Sequence, residues 1–527
     1  MKLLKVFVAV SLAFIMSTST AFGQNNGNET DMIPLRQTAE KLGYDVTWLE
    51  DDNAAVIDSG NISATIYCNQ NRFVSKNGYA SELSHGSELI DGSIYVPKEF
   101  FEYYFFIDID EKGDIIACEP QEGITVLSEL AALENGNWQK LTKEQMLQDF
   151  DYLYKTLEEN YPFIDVIKRM YNVDLKAEYE NSRKLVEACK TDAEFFTIID
   201  RFTSKAQMAG HLSEITPMNY DWYVEAYNNT TGIPEDYLGQ MKKLALAYGN
   251  EKSKKYYGDF SNIFWPVFER VQAFYADLEN IEDIAESQTE YHNVETKIIE
   301  DGKIAYIAVN SLDMLRYEED KKTLFDFYEQ IKDYENVIFD FTNNGGGGTS
   351  YFEDLIVAPN IDKPLTANVY QYIKNGEYNN KFLELSDYTN ISEAPKLPNM
   401  SEDDLKKLDK VCKIEYIVKP LNDHKMLNGK LWLLVSERVF SSAEYAAIFS
   451  KTTGFATLVG TQTGGDGIGS DPLPLILPNS GMIVRYSAIY GTTADGQCNQ
   501  EFRTIPDIVS ENGEDALTTC LKAIGKK

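Results

Sequence analysis

Lys430-Leu431-Trp432-Leu433-Leu434-Val435-Ser436 is an apolar run of strand length. Val439-Phe440-Ser441-Ser442-Ala443-Glu444 follows it, and Glu444 to Lys451 carries a helical pattern. A serine at such a strand-to-helix turn can project its hydroxyl while the next backbone N–H groups converge on one spot. That arrangement suits a nucleophile with an oxyanion pocket. The plain alternative is a helix cap, a position where serine is strongly preferred. Both readings stand on this stretch alone.

Upstream, the same strand-and-turn grammar recurs. Asn336-Val337-Ile338-Phe339-Asp340-Phe341 reads as a strand and breaks into Thr342-Asn343-Asn344-Gly345-Gly346-Gly347-Gly348-Thr349. Glycines let a backbone approach a ligand closely with its N–H groups free to donate. A flexible turn would look the same. No GK[ST] follows, so this is not a Walker A loop. Lys303 to Asn310 is strand-like and Lys321 to Lys332 helical, and Thr457 to Gly460, Leu473 to Leu477 and Met482 to Ser487 add strands. Strands alternating with helices predict an α/β or α+β core. Before it, Thr142 to Tyr161 has apolar residues at helical spacing (Met146, Phe150, Leu153, Leu157, Tyr161), and Pro162 stops it. Helical patterns continue over 178–190, 192–203 and 235–249, a helical cap.

The chain has 527 residues, which exceeds one ordinary core. Met1 to Gly23 has a basic start at Lys2 and Lys5, an apolar run from Val6 to Ile15, and the small-x-small site Ala21-Phe22-Gly23. This is the pattern of a secretory signal peptide, and it predicts a secreted, extracellular or cell-surface protein. Gln24 is not the cysteine of a lipid anchor, though an uncleaved leader would still tether the chain. No other run has the roughly 18 apolar residues of a membrane span. The net charge is −34, and about −36 once Lys2 and Lys5 leave with the leader. Such an excess of acid excludes nucleic acid as the expected partner. Cys68, Cys118, Cys189, Cys412, Cys498 and Cys520 lie far apart, with no CxxC pair to hold zinc.

Four histidines are present: His85, His211, His292 and His424. His211 sits beside Gly210 at a helix-to-loop junction, where an imidazole can reach outward. A structural histidine is the alternative. Near the N-terminus a repeat spaced by 63 residues aligns Pro34 with Pro97, Leu42 with Phe105, Asp45 with Asp108 and Val46 with Ile109.

Two resemblances follow from these motifs. Pro34-Leu35-Arg36…Ala39-Glu40…Leu42-Gly43…Val46…Trp48 is similar to the copper amine oxidase-like N-terminal domain, over about residues 30–118. It implies a small α+β accessory module. No copper site is implied, since His85 is the only histidine there. The order Tyr161-Pro162-Phe163, Gly210-His211, Asp340…Asn344…Gly346-Gly347, Ser441…Glu444, Leu458-Val459-Gly460 and Pro506-Asp507-Ile508 resembles the C-terminal-processing (tail-specific) and tricorn-like serine peptidases. That resemblance implies a ClpP/crotonase-like protease core at 290–527 with a helical N-terminal cap at 135–285. It implies Ser441 as nucleophile, His211 as base and Glu501 as the supporting carboxylate. Gly346, Gly347 and Ser442 would form the oxyanion hole. No metal and no cofactor are required, and the partner would be a peptide or protein substrate. The family's other style uses a lysine 25 residues after the serine, and here that position is Asp466. The usual family glutamate position is Gln500, one residue before Glu501. A non-catalytic binder of peptides or other ligands, or an esterase, would share these features.

Overall fold

The computed structural model describes residues 32–41, 44–50, 53–58, 63–69, 72–75, 80–83, 86–98, 100–101, 108–109, 115–117, 141–188, 192–230, 237–258, 292–511 and 513–525. The leader at 1–23, the linker at 119–138, Leu42, Gly43, Phe105, His85, Cys118 and Cys189 lie outside the described residues. Packing divides the chain into two compact units. One takes described residues from 1–148, 181–202 and 255–291, and the other from 149–180, 203–254 and 292–527.

In the first unit the N-terminal repeat pairs with itself. Met32–Pro34 lies antiparallel to Ser93–Pro97, with Ile33 opposite Val96. Both prolines close their strands, and the helix Leu35–Lys41 begins just after Pro34. A five-stranded antiparallel meander runs from Asp45 to Glu82. Ile33, Ala39, Ile57, Ile66, Val96 and Phe100 fill the core between them. The same unit holds a buried carboxyl, Asp192, at the start of the helix Asp192–Ser204. One oxygen accepts the Leu141 N–H at 3.0 Å, and the other has no partner among the described residues. Burial pushes this carboxyl up to about 6, against the opposing pull of the Leu141 N–H. The unfolded value is about 3.9, so the folded chain holds the proton more tightly. The stabilisation is complete below about pH 4 and is lost as pH rises through about 6. Asp192→Asn is expected to remove this slope and to melt above wild type at pH 7, read by thermal melting from pH 3.5 to 7.

The second unit is built on a six-stranded sheet. Its order is Val294–Glu300, Ile304–Val309, Asn336–Asp340, Lys430–Val435, Thr457–Gly460 and Ile508–Val509. The first pair is antiparallel and the other pairings are parallel. Parallel strands covered on both faces read as unbroken apolar runs, which is why KLWLLV shows no alternation. Leu431, Leu433 and Val435 pack on one face with the helices Tyr317–Ile331 and Ser442–Thr453. Trp432 and Leu434 pack on the other with the helix Ala516–Ile524. Each such fully buried side chain contributes about 1.5–3 kcal/mol.

A second sheet pairs Leu365–Ile373 with Lys410–Val418 and Ile489–Thr493. A third sets Ser213–Glu214 against Ile483–Tyr486, which pairs in turn with Leu473–Ile476. Among the described residues no helix is long and apolar enough to cross a membrane. Cys68, Cys412, Cys498 and Cys520 are buried, and no disulfide joins them among the described residues.

Candidate active site

The strands Asn336–Asp340 and Lys430–Val435 are parallel neighbours, so their following loops leave the same sheet edge side by side. Ligands of open α/β sheets bind at that carboxyl end. The first loop is the glycine run. Asp340 accepts from the Thr342 backbone N–H at 2.8 Å and its hydroxyl at 2.6 Å. Buried Asn344 donates to the Val309 carbonyl and accepts from the Gly346 N–H, both at 2.9 Å. These two side chains fix the loop, which accounts for the spacing of Asp340, Asn344 and the glycines.

The second loop delivers Ser441. This residue occupies the N-cap of the helix Ser442–Thr453, yet its hydroxyl makes no capping bond. Its backbone has φ 57° and ψ −127°, a sparsely populated region for any residue with a Cβ. The Ser441 N–H donates to the Gly465 carbonyl at 3.1 Å, and the Tyr445 N–H bonds the Ser441 carbonyl at 2.9 Å. The cap reading therefore fails for the side chain, whose hydroxyl accepts from none of the helix N–H groups.

The glycine loop packs directly on this elbow. A Cβ on Gly346 would lie 2.9 Å from both the Phe440 carbonyl oxygen and Ser441 Cβ. Ser442 Oγ donates to the Gly347 carbonyl at 2.7 Å. Of the three sequence-derived oxyanion donors, Gly346 has its N–H taken by Asn344. Among the described residues no hydrogen bond occupies the N–H of Gly347 or of Ser442.

His211 arrives from outside the large sheet, on the turn Ala209–His211, with φ +54°. The Tyr161-Pro162-Phe163 stretch explains the glycine before it. Tyr161 donates its hydroxyl to the Ala209 carbonyl, and a Cβ on Gly210 would collide with the Phe163 and Tyr161 rings. Gln500 Oε1 accepts from the Gly210 N–H at 2.9 Å. The Ser487 N–H bonds the Gly210 carbonyl at 2.6 Å. The imidazole, 8% exposed, stands 4.6 Å centroid-to-centroid from Phe440, the neighbour of Ser441.

The imidazole has a carboxylate partner, and it is Asp466. Asp466 Oδ2 lies 2.5 Å from His211 Nδ1. Ser487 Oγ donates to the same Oδ2 at 2.7 Å and stands 3.2 Å from Nδ1. A carboxylate at Nδ1 fixes the tautomer, with N–H on Nδ1 and the lone pair on Nε2. Asp466 holds φ +54° in the loop Thr463-Gly464-Gly465-Asp466-Gly467. That loop is tied to the serine elbow, because the Gly464 N–H donates to the Val439 carbonyl at 2.7 Å.

Glu501 lies elsewhere in its bonding. Both its oxygens accept from Arg169, at 2.8 and 2.7 Å, and Arg169 also grips Asp404 at 3.0 and 2.7 Å. Gln500 holds the backbone before His211 rather than its ring. Glu501→Gln is expected to leave kcat/KM within about threefold of wild type, since both its oxygens are committed to Arg169 and neither meets the imidazole. A peptide-cleavage assay checks it. Glu444 is fully buried, and accepts from Asn499 at 2.7 Å and Thr504 at 2.6 Å. Burial pushes its carboxyl up against the pull of these bonds. It links the serine helix to the segments following the Asp466 loop.

The sequence offered Asp466 only as the residue standing where a lysine is absent, and passed over Ser487. An acidic residue set among Gly464, Gly465 and Gly467 was the available signal: the loop takes positive φ at Gly465 and at Asp466 itself, a region aspartate enters more readily than most side chains. Among the described residues no group of three or more His, Cys, Asp or Glu side chains could hold a metal ion.

Comparison with known proteins gives two family matches. Residues 303–510 match the model of peptidase family S41. Residues 18–116 match the copper amine oxidase N-terminal domain. A curated relative, a protease inhibitor from Brevibacillus choshinensis, is 26% identical over 121 residues, which are 23% of this chain and 35% of that protein. The chain thus spans about a third of that relative's length. Among solved structures, a putative peptidase from Parabacteroides merdae is 19% identical, with 73% of this chain and 96% of that one covered and a TM-score of 0.42. The tricorn protease is 14% identical, with 91% and 46% covered and a TM-score of 0.35. His211 lies outside the matched residues, whereas Ser441, the glycine loop, Asp466 and Ser487 lie within them. Residues 303–510 are thus similar to peptidase family S41, and residues 18–116 to the copper amine oxidase N-terminal domain.

Proposed function

We propose that the protein is a secreted serine peptidase that cleaves peptide bonds through an acyl-enzyme, with Ser441 as nucleophile, His211 as base and Asp466 as the orienting carboxylate. The observation that carries the reading is the 2.5 Å contact of Asp466 with His211 Nδ1, beside an elbow that leaves the Ser441 hydroxyl uncapped. Secretion rests on the leader pattern at 1–23.

In the first step Ser441 Oγ attacks the scissile carbonyl carbon while His211 Nε2 takes its proton. The imidazolium so formed is stabilised by Asp466, whose charge Ser487 holds in place by hydrogen bonding. The carbonyl oxygen becomes an oxyanion between the N–H groups of Gly347 and Ser442. Collapse expels the amine, which receives the proton from Nε2 and leaves an ester on Ser441. Water, deprotonated by Nε2, attacks that ester, and its collapse frees the carboxylic acid and returns the proton to Ser441.

A fluorophosphonate probe tests the assignment. Labelling is expected at Ser441, and His211→Ala is expected to slow it at least a thousandfold. An unlabelled, folded wild-type protein at neutral pH would instead identify a ligand-binding protein on a peptidase fold. Peptide and ester substrates assayed side by side separate a peptidase from an esterase.

A further inference from the structure

The run Gly345-Gly346-Gly347-Gly348 has no Cβ with which to anchor itself, so its shape is set by what its backbone groups meet. The Gly346 N–H donates to Asn344 Oδ1 at 2.9 Å, and the Gly346 carbonyl accepts from the Leu312 N–H at 2.8 Å. The Gly348 N–H donates to the Leu312 carbonyl at 2.8 Å. The Gly347 carbonyl accepts from Ser442 Oγ at 2.7 Å. Among the described residues, every backbone polar group from the Gly346 N–H to the Gly348 N–H is engaged except the Gly347 N–H. That N–H is the one the oxyanion needs.

The anchors are unequal in what they join. Asn344 belongs to the loop itself, and Leu312 to the segment after the strand Ile304–Val309. Ser442 Oγ supplies the one hydrogen bond, among the described residues, from the glycine run to the serine helix. A serine inside a helix bonds the carbonyl a turn back. Ser442 opens the helix Ser442–Thr453 and has no such helical carbonyl, which leaves its hydroxyl for the loop. The same residue owns the second N–H of the oxyanion pair, and the two donors are neighbours: a Cβ on Gly346 would lie 3.1 Å from the Ser442 nitrogen.

We propose that the Ser442 hydroxyl is a positioning group for acyl transfer: by holding the Gly347 carbonyl it fixes the Gly347 N–H relative to the Ser442 N–H, and so sets the shape of the oxyanion hole. The proposal rests on the peptidase reading. Without the hydroxyl, the Gly347–Gly348 peptide keeps only its Leu312 bond and turns about two residues that lack the steric limits of a Cβ. The Gly347 N–H then spends part of its time off the reacting oxygen. Fixed donors are effective because they need no rearrangement as charge develops. Loosening one donor costs less than deleting it, and the expected loss is that of one neutral hydrogen bond, about tenfold in rate. A merely structural tie would behave differently: its removal would lower the melting temperature and leave the rate alone.

The test compares Ser442→Ala, Ser442→Thr and Ser442→Val with wild type. Threonine keeps the hydroxyl, and valine keeps the shape of threonine without it. The rate of Ser441 labelling by a fluorophosphonate probe is followed across the pH range in which it rises, since phosphonylation presents an oxygen to the same two donors. Ser442→Thr is expected to label within about twofold of wild type, and Ser442→Ala and Ser442→Val about tenfold more slowly. Melting temperatures should agree within a few degrees, and the midpoint of the pH profile should not move. Equal rates in all the proteins overturn the proposal, as does a threonine variant as slow as valine. A slow variant with a displaced midpoint also overturns it, because the loss then lies at His211. If Ser442→Val does not fold, Ser442→Ala against Ser442→Thr decides. A folded wild type that takes no label would overturn the peptidase reading, and this proposal with it, before any variant is compared.

Discussion

Asp466→Asn is expected to lower kcat by about ten-thousandfold while the chain stays folded, the scale of loss known when a triad aspartate is exchanged for its amide. The size follows from proton placement. Asp466 Oδ2 is the atom that meets His211 Nδ1 at 2.5 Å. An amide there can donate to Nδ1, which moves the ring proton to Nε2 and removes the lone pair that must accept from Ser441. It also cannot balance the imidazolium that forms in the transition state. The same oxygen receives the Ser487 hydroxyl, so that hydrogen bond weakens with it. Steady-state cleavage and the rate of Ser441 labelling should fall together. A loss below tenfold would remove Asp466 from the machinery, and Glu501→Gln is the matched control on the other carboxylate.

Gly347→Ala is expected to cost a hundred- to a thousandfold in kcat, the scale of losing one oxyanion donor. Gly347 has φ +138°, which residues with a Cβ rarely adopt, and the added methyl would overlap the Leu312 carbonyl. The loop must then retreat from Leu312, and the Gly347 N–H leaves the position proposed for it at the reacting carbonyl. KM should change little, since the donor acts mainly on the charged intermediate. Gly348→Ala makes the comparison. A Cβ there crowds the flexible Met314 side chain and stays at an ordinary 3.9 Å from the Leu312 carbonyl oxygen, so activity should stay within about threefold of wild type. Equal losses in the two variants would point to general disruption of the loop.

Much of this architecture was legible because local rules and tertiary structure agree. KLWLLV is apolar throughout since both faces of its strand are covered. The apolar spacing from Met146 to Tyr161 matches the helix Lys143–Asn160 closely. The long strands Leu365–Ile373 and Lys410–Val418 escaped notice because their polar and apolar residues alternate irregularly, and only pairing with each other defines them. In the site, Ser441, His211 and the glycine loop are marked by short motifs whose residues sit together in the chain. The carboxylate is not. Asp466 and Glu501 are equally plausible as acids near the end of the chain, and what separates them is that Arg169 neutralises one while the other faces an imidazole. That distinction is a matter of three-dimensional partners, which spacing alone does not encode.

The backbone of Ser441 has one more consequence. Its φ and ψ are those of the first central residue of a type II′ turn, the place where glycine is normally required. Native fold and reactivity therefore pull in opposite directions at this residue. Ser441→Ala and Ser441→Gly should both be inactive, yet they should not be equally stable. Alanine retains the crowded Cβ, whereas glycine relaxes the elbow, a difference of about 1–3 kcal/mol less the flexibility glycine adds to the unfolded chain. If Ser441→Gly melts above both Ser441→Ala and wild type, the nucleophile is being presented at a standing thermodynamic disadvantage, and the most heat-resistant form of this protein is one that has lost the ability to react.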